Sequence, residues 1–122
     1  MDFKAKSLRP FLGSKDFEIS RQFYVELGFE EIVLWEGFCV FSTGDFAFYL
    51  QAHYVKDWIY NTMVFMEVEN LDELWDRIDS QNLPQKFDGV RVSEIKEEHW
   101  GREFFVHDPS GILWHFGTFA SV

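Results

Sequence analysis

Apolar and polar positions in the first half of the chain predict a strand, a helix and three further strands. The segment Ser7–Leu12 alternates weakly and contains Pro10, which cannot donate to a central ladder, so it is predicted to be an edge or exchanged strand. Asp16 is a suitable N-cap for a helix with apolar residues at helical spacing, and Gly28 is a suitable C-cap. The three strands that follow are expected at Phe29–Trp35, Phe38–Ser42 and Phe46–Ala52.

The same order of elements is predicted again in the second half. Thr62–Val68 has the pattern of a strand, and Asn70 can cap a helix that ends near Pro84. Three strands follow, near Val90–Ile95, at Arg102–His107 and at Ile112–Thr118. The repeat is one of element order rather than of sequence identity. The sequence therefore predicts a single α+β domain over residues 1–122, made of two βαβββ modules at about 6–52 and 62–118.

The amino-acid composition disfavours some classes of binding partner and favours others. The chain has 21 Asp and Glu against 11 Lys and Arg, a net charge of -10, which repels nucleic acid and anionic membranes and attracts cationic ligands. Aromatic residues make up 20% of the chain, with 15 Phe and 5 Trp, more than a core of this size requires. The aromatic residues that the core does not need are expected to lie in an exposed site for a flat ligand or in an extensive dimer interface.

The location of the protein is predicted from segments that the sequence lacks. No apolar run approaches the roughly 20 residues of a membrane span, and no apolar stretch typical of a signal peptide follows the basic start. Cys39 has no possible disulfide partner within the chain and lies in an apolar run, which indicates a buried thiol. A cytoplasmic protein is expected.

Three segments resemble a known superfamily, the vicinal oxygen chelate proteins, which include glyoxalase I, extradiol dioxygenases and bleomycin-resistance proteins. They are RQFYVELGF at 21–29, NTMVFMEVENLDELWDRI at 61–78 and WGREFFVHDPSGILWHF at 100–116. The third is most similar to the bleomycin-resistance branch. The resemblance covers about Ser7 to Phe116 and implies that the two modules curve as a mixed sheet around a ligand cleft, with helices on the outer face.

Alternation within the strands predicts which residues face this cleft. In the strand at 62–68, Met63, Phe65 and Glu67 share one face, while the aliphatic residues between them share the face expected to pack on a helix. In the last strand His115 is expected on the cleft side and Trp114 on the opposite side.

The resemblance also indicates which residues of this chain stand at the metal-ligand positions of metal-dependent members. Metal-dependent members bind a divalent ion through His and Glu side chains from the first, fourth, fifth and eighth strands. The matching positions here are Arg9, Leu50 or its neighbours Tyr49 and Gln51, Met63, and His115. Only the imidazole of His115 could ligate, because a guanidinium repels a cation and a thioether is a poor ligand for hard ions. No metal, no cofactor and no catalytic residue is therefore predicted.

The predicted site is one for binding rather than for catalysis. Bleomycin-type drugs combine flat bithiazole rings with a cationic tail, which favours stacking on aromatic rings and pairing with carboxylates. Phe38 and Trp100 match aromatic positions of the resemblance, whereas Ile32 and Val33 stand where drug-binding relatives have a carboxylate and an aromatic ring. The predicted ligand-binding residues are Trp35, Phe38, Phe48, Met63, Phe65, Glu67, Trp100 and His115.

These observations lead to one principal hypothesis and two alternatives. The principal hypothesis is an antibiotic-resistance protein, a homodimer that sequesters a flat cationic small molecule in shared clefts without chemical change. The first alternative is a lyase, isomerase or dioxygenase of the same superfamily with a non-standard metal site. The second is an interaction module in which the aromatic residues only build a dimer.

Overall fold

The computed structural model describes residues 1–121. The first module opens with a short strand and a helix capped as predicted: Asp16 Oδ1 accepts a hydrogen bond from the backbone N–H of Ile19 at 3.1 Å, and Gly28 ends the helix at a positive φ of 123°. Its elements are β1 (Phe11–Leu12), α1 (Phe17–Leu27), β2 (Glu30–Trp35), β3 (Phe38–Thr43) and β4 (Phe46–Gln51).

The second module repeats this order. Asn70 Oδ1 accepts from the backbone N–H of Glu73 at 3.1 Å and so caps the main helix as predicted. A short helix, α2 (Lys56–Tyr60), lies in the connection between the modules. The elements of the second module are β5 (Met63–Glu67), α3 (Leu71–Ser80), α4 (Leu83–Lys86), β6 (Arg91–Val92), β7 (Lys96–Glu98), β8 (Gly101–His107) and β9 (Leu113–Phe119).

Each module forms its own sheet, and the two sheets have the same topology. Sheet A has the order β1-β4-β3-β2, and sheet B has the order β5-β9-β8-β6 with β7 also paired to β8. In both sheets the first strand of the module runs parallel to the last strand, and the remaining pairs are antiparallel. The predicted α+β fold of two βαβββ modules is confirmed.

Two predicted strands differ in extent from those in the structure. β1 covers only two of the six residues predicted, and residues 1–10 are all exposed. Pro10 has no N–H to donate, although its carbonyl accepts from the N–H of Tyr49 at 2.9 Å. Of the strand predicted near Val90–Ile95, only Arg91–Val92 form a strand, β6. The additional strand β7, at Lys96–Glu98, was not predicted, and both strands pair with β8.

The two sheets share one core through their helix-covered faces. The ring of Tyr24 on α1 lies 5.0 Å from that of Phe48 in sheet A and 5.8 Å from that of Trp114 in sheet B, measured between centroids. The rings of Phe48 and Trp114 are themselves 5.3 Å apart. Within residues 1–121, side chains on the opposite face of each sheet, such as Trp35 and Phe65, are exposed.

Two further observations concern the location predictions. Cys39 is buried, as predicted, and burial raises the pKa of its thiol to about 12, so the thiol is inert at neutral pH. Among residues 1–121, no helix has the length and apolar character that crossing a membrane would require.

An ion pair between α1 and β2 makes stability depend on pH. Arg21 donates from Nε and Nη2 to the two carboxylate oxygens of Glu31 at 2.7 and 2.8 Å. The hydrogen bonds from Arg21 lower the pKa of Glu31 below its ordinary value. A carboxyl whose pKa is lowered on folding stabilises the protein above its unfolded pKa, and this contribution is lost as the pH falls through the lowered pKa of the folded state.

We therefore expect Glu31→Gln to reduce the free energy of unfolding by about 1 kcal/mol at pH 7, and the difference from the parent to shrink as the pH falls towards 3. Urea unfolding at pH 7, 5 and 3 measures this. Glu30→Gln is the matched control, because the neighbouring Glu30 is exposed and has no ion pair within the described residues. A difference that stayed constant over this pH range would contradict the assignment.

Candidate functional site

Four aromatic rings form a ladder on the open face of sheet A. The ring of Phe38 stacks on Trp35 with a centroid distance of 4.6 Å and on Tyr49 with a distance of 5.0 Å. Phe11 continues the ladder 5.0 Å from Tyr49, and the guanidinium of Arg9 lies 5.6 Å from the centroid of the Tyr49 ring. A shallow groove of about 700 Å³ follows the four rings. Such a surface presents flat π faces to a planar ligand.

A bulge in β2 brings Trp35 into this ladder. Val33 pairs with Cys39, which faces the core, whereas Trp35 pairs with Phe38, which faces outward. Residues two apart in a regular strand point to the same side, so the shift in register between them is what turns Trp35 to the open face. The indole is 62% exposed there.

A second aromatic cluster lies on the open face of sheet B. The ring centroids of Phe65, Trp100 and Phe119 are separated by 5.2–5.9 Å, and Phe65 remains 44% exposed. Gly117 makes room for this cluster, because a Cβ at that position would lie 2.9 Å from Cζ of Phe65. Met63 extends the face along β5 and is 65% exposed.

A carboxylate–imidazole pair lies beside this cluster. Nδ1 of His115 is 2.9 Å from Oε1 of Glu103, which is only 8% exposed. The ring of Phe105 contacts His115 edge-on at 4.9 Å. Sequence reasoning found His115 but missed Glu103, although alternation places Gly101, Glu103 and Phe105 on one side of β8.

Phe48 lies on the other side of its strand from the ligand face predicted for it. It is 3% exposed and packs against Tyr24, Phe29 and Trp114. In β4 the side chains that face the core are those of Phe48 and Leu50, so the aromatic residue on the open face is its neighbour Tyr49. Phe48 is thus a core residue, and it also lines a cavity of about 340 Å³ together with Phe65 and Glu67.

The other predicted ligand-binding residues lie on the open faces, but on two different sheets. Trp35 and Phe38 belong to sheet A. Within the described residues, no pair of neighbouring aromatic rings joins the ladder of sheet A to the cluster of sheet B. The predicted residues on strands of sheet B are Met63, Phe65, Glu67 and His115, and Trp100 lies beside them in the turn before β8.

The side chains at the metal-ligand positions do not fit a divalent ion. The cationic Arg9 and the ring of Tyr49 lie against each other, and the imidazole of His115 already bonds a carboxylate through Nδ1. Over residues 1–121, no three His, Cys, Asp or Glu side chains come close enough together to hold a metal.

Two other candidates from the sequence have structural contacts. Arg102 donates to both carboxylate oxygens of Asp72 on α3 at 2.8 and 2.9 Å, so it ties the helix to β8. Asp108 is buried and holds the turn between β8 and β9 by accepting three backbone N–H bonds. Neither side chain lies on an open face.

The chain has the fold of the glyoxalase and bleomycin-resistance proteins. No protein-family model matches the chain, and no curated protein matches it by sequence. Solved structures do match over nearly the whole chain, and they confirm the resemblance predicted from the three sequence segments.

Three of these structures illustrate the similarity. A bleomycin-binding protein in complex with bleomycin has 22% identity and a TM-score of 0.79, with 95% of this chain and 100% of that chain covered. A bleomycin resistance determinant encoded on the transposon Tn5 has 20% identity and a TM-score of 0.80, with 96% and 100% covered. The bleomycin-binding protein of Streptomyces verticillus, in complex with copper(II)-bleomycin, has 25% identity and a TM-score of 0.75, with 94% and 96% covered.

Proposed function

We propose that two copies of the chain associate and bind a flat, cationic small molecule, such as a bleomycin-like antibiotic, without changing it chemically. Each ligand lies between the open face of sheet A in one copy and the open face of sheet B in the other. The observation that carries this proposal is the presence of two uncovered aromatic faces on opposite sheets of one chain. Association of two copies would form two clefts, each with aromatic rings on both walls.

The extent of exposed apolar surface supports association. Phe11, Trp35, Met63 and Phe119 are each more than half exposed, which is unusual for so many large side chains on a monomer. The N-terminal segment of residues 1–10 is also exposed, including its apolar side chains Phe3 and Leu8. We propose that this segment is exchanged between the two copies.

The net charge of the chain and its similarity to solved structures support a cationic, antibiotic-like ligand. The net charge of -10 attracts cations, and Glu67 and Glu103 place carboxylates on the same face as the aromatic cluster of sheet B. Similar solved structures include bleomycin complexes and an antibiotic-binding protein from a Streptomyces species. Binding of this kind protects a cell by mass action, and we place the protein in the cytoplasm, where such a drug would be captured.

Two measurements on the full chain test the proposal. Light scattering after size-exclusion chromatography is expected to show twice the chain mass of 14.6 kDa at micromolar concentration. Calorimetric titration with metal-free bleomycin is expected to saturate, and Trp35→Ala is expected to weaken binding by about tenfold or more because it removes the exposed end of the ladder. Trp58→Ala is the matched control, since Trp58 is 67% exposed on α2 and outside the ladder.

The possible negative results are distinct. A monomer at micromolar concentration would contradict the shared clefts. A dimer without saturable binding of bleomycin would contradict the drug-specific form of the proposal. Equal losses of affinity in Trp35→Ala and Trp58→Ala would show that the ladder is not the binding surface.

The carboxylate–imidazole pair favours one second candidate, an enzyme of the same fold. A carboxylate that orients an imidazole is an arrangement typical of general bases. If bleomycin recovered after prolonged incubation had a changed mass, catalysis would be favoured. Unchanged recovery would favour sequestration.

A further inference from the structure

The pair formed by Glu103 and His115 is the most enclosed polar group on the open face of sheet B. The two side chains are diagonal neighbours on β8 and β9, because Glu103 pairs with Gly117 and His115 pairs with Phe105. Their side chains are only 10% and 21% exposed. His115 is the one basic group within 4 Å of the Glu103 carboxylate in the described part of the chain.

The hydrogen bond determines which ring nitrogen carries a proton. A carboxylate can only accept, so we assign the proton to Nδ1 of His115, which donates to Oε1 of Glu103 at 2.9 Å. In the neutral imidazole the other nitrogen, Nε2, then has a free lone pair. Glu103 thereby selects the tautomer without itself reaching the cleft.

Nε2 is available to a ligand. Nε2 has no hydrogen-bond partner among residues 1–121. The atom is not fully buried, so it is accessible to solvent. The rings of Phe65 and Phe105, with centroids 6.4 and 4.9 Å from that of the imidazole, border it. A planar molecule lying on the aromatic cluster would be next to the imidazole, because Phe65 belongs to that cluster.

We propose that Nε2 of His115 accepts a hydrogen bond from an N–H group of the bound ligand, and that Glu103 is the residue that positions it. This inference rests on the proposed function and names the chemical group that the site selects. An oxyanion is disfavoured, because the Nε2 lone pair would face it and the Glu103 carboxylate adds negative charge at the other nitrogen of the same ring. An amine or amidine N–H on a flat ring gains both a hydrogen bond and the attraction of the negative face.

The Nε2 lone pair discriminates strongly between ligands with and without an N–H group when the cleft excludes water. A ligand that lacks the N–H leaves the Nε2 lone pair without a partner, and a site built around a buried hydrogen bond rejects such a ligand more strongly than an apolar pocket would. The inference therefore predicts a difference in affinity between two ligands of equal shape and charge.

Two flat monocations provide the test. At neutral pH 9-aminoacridinium carries N–H groups, whereas 10-methylacridinium carries the same charge on the same ring system without one. Calorimetric titration of the full chain is expected to give a dissociation constant about tenfold lower for 9-aminoacridinium. Equal dissociation constants would overturn this inference and leave the proposed function intact. If neither cation bound saturably, both would be overturned.

Variants distinguish a role in ligand recognition from a structural role. A structural defect weakens the binding of both cations alike and leaves the ratio of their two dissociation constants unchanged. His115→Phe is expected to bring this ratio close to one, and so is Glu103→Leu, which has no acceptor for Nδ1–H. His115→Gln, whose amide oxygen can accept near the position of Nε2, is expected to restore part of the ratio. Glu94→Gln, which removes an exposed charge in the loop before β7, is expected to leave the ratio unchanged. A full ratio in His115→Phe would overturn the inference, even if Glu103→Leu fails to fold.

Discussion

Replacing Asp108 by alanine is expected to lower the free energy of unfolding by about 3–5 kcal/mol, because it leaves several buried donors without an acceptor. Oδ1 of Asp108 accepts from the backbone N–H groups of Ser110, Gly111 and Ile112 at 2.8–2.9 Å. Oδ2 accepts from the hydroxyl of Tyr24 at 2.6 Å, and the same hydroxyl accepts from Nε1 of Trp114 at 2.9 Å.

The position of this network explains the size of the expected effect. Asp108 and Tyr24 are both 0% exposed, and the network joins α1 of the first module to β9 and its preceding turn in the second. Burial raises the pKa of the Asp108 carboxyl above its ordinary value, against the opposing effect of its four donors. Burial of this carboxylate therefore costs free energy of folding. Its hydrogen bonds offset that cost and join the two modules.

Urea unfolding measures the effect, with two comparison variants. Tyr24→Phe removes one hydroxyl and keeps the turn, so a smaller loss of about 1–2 kcal/mol is expected. Asp88→Ala changes an exposed aspartate in the loop before β6 and is expected to alter stability by less than about 0.5 kcal/mol. A loss of less than 1 kcal/mol in Asp108→Ala would contradict the role assigned to the network.

Alanine substitutions at the neighbouring residues Phe48 and Tyr49 are expected to have opposite effects. Phe48→Ala removes a ring from the centre of the core and should cost about 3–5 kcal/mol of stability. Tyr49→Ala removes a ring from the open ladder, so stability should change by about 1 kcal/mol or less while affinity for bleomycin falls about tenfold.

Urea unfolding and calorimetric titration of the two variants, side by side, measure this contrast. The two residues are adjacent in one strand and similar in size, so each variant is the control for the other. A stability loss in Tyr49→Ala as large as that in Phe48→Ala would show that the ladder belongs to the core. An affinity loss confined to Phe48→Ala would place the ligand on the opposite side of sheet A.

Local signals in the chain predicted much of the fold. Asp16 and Asn70 cap the two main helices because their short side chains reach the backbone N–H three residues ahead. The positive φ of Gly28 explains the end of α1. In β5 the alternation of Met63 and Phe65 with Val64 predicted correctly which side chains are exposed, since only one side of that strand is aliphatic throughout.

Other features could not be predicted from alternation. In β4 both sides carry an aromatic residue, Phe48 on one and Tyr49 on the other, so a period of two separates the faces without showing which one α1 covers. Trp35 has the parity of a core residue and reaches the open face only because of the bulge beyond Val33. The pairing of Glu103 with His115 depends on the register between β8 and β9, which no local signal specifies.

By itself, the sequence determined the order of the principal elements, the caps of the two main helices and the repeat of one unit, which depend on interactions between residues close together in the chain. It also determined the surplus of aromatic residues and negative charge, which is a property of composition alone. The tertiary structure decided that Phe48 is core and Tyr49 is surface, that Trp35 joins a ladder, and that Glu103 orients His115. Those outcomes depend on strand register and on which face each helix covers, and both are set by packing between residues far apart in the chain.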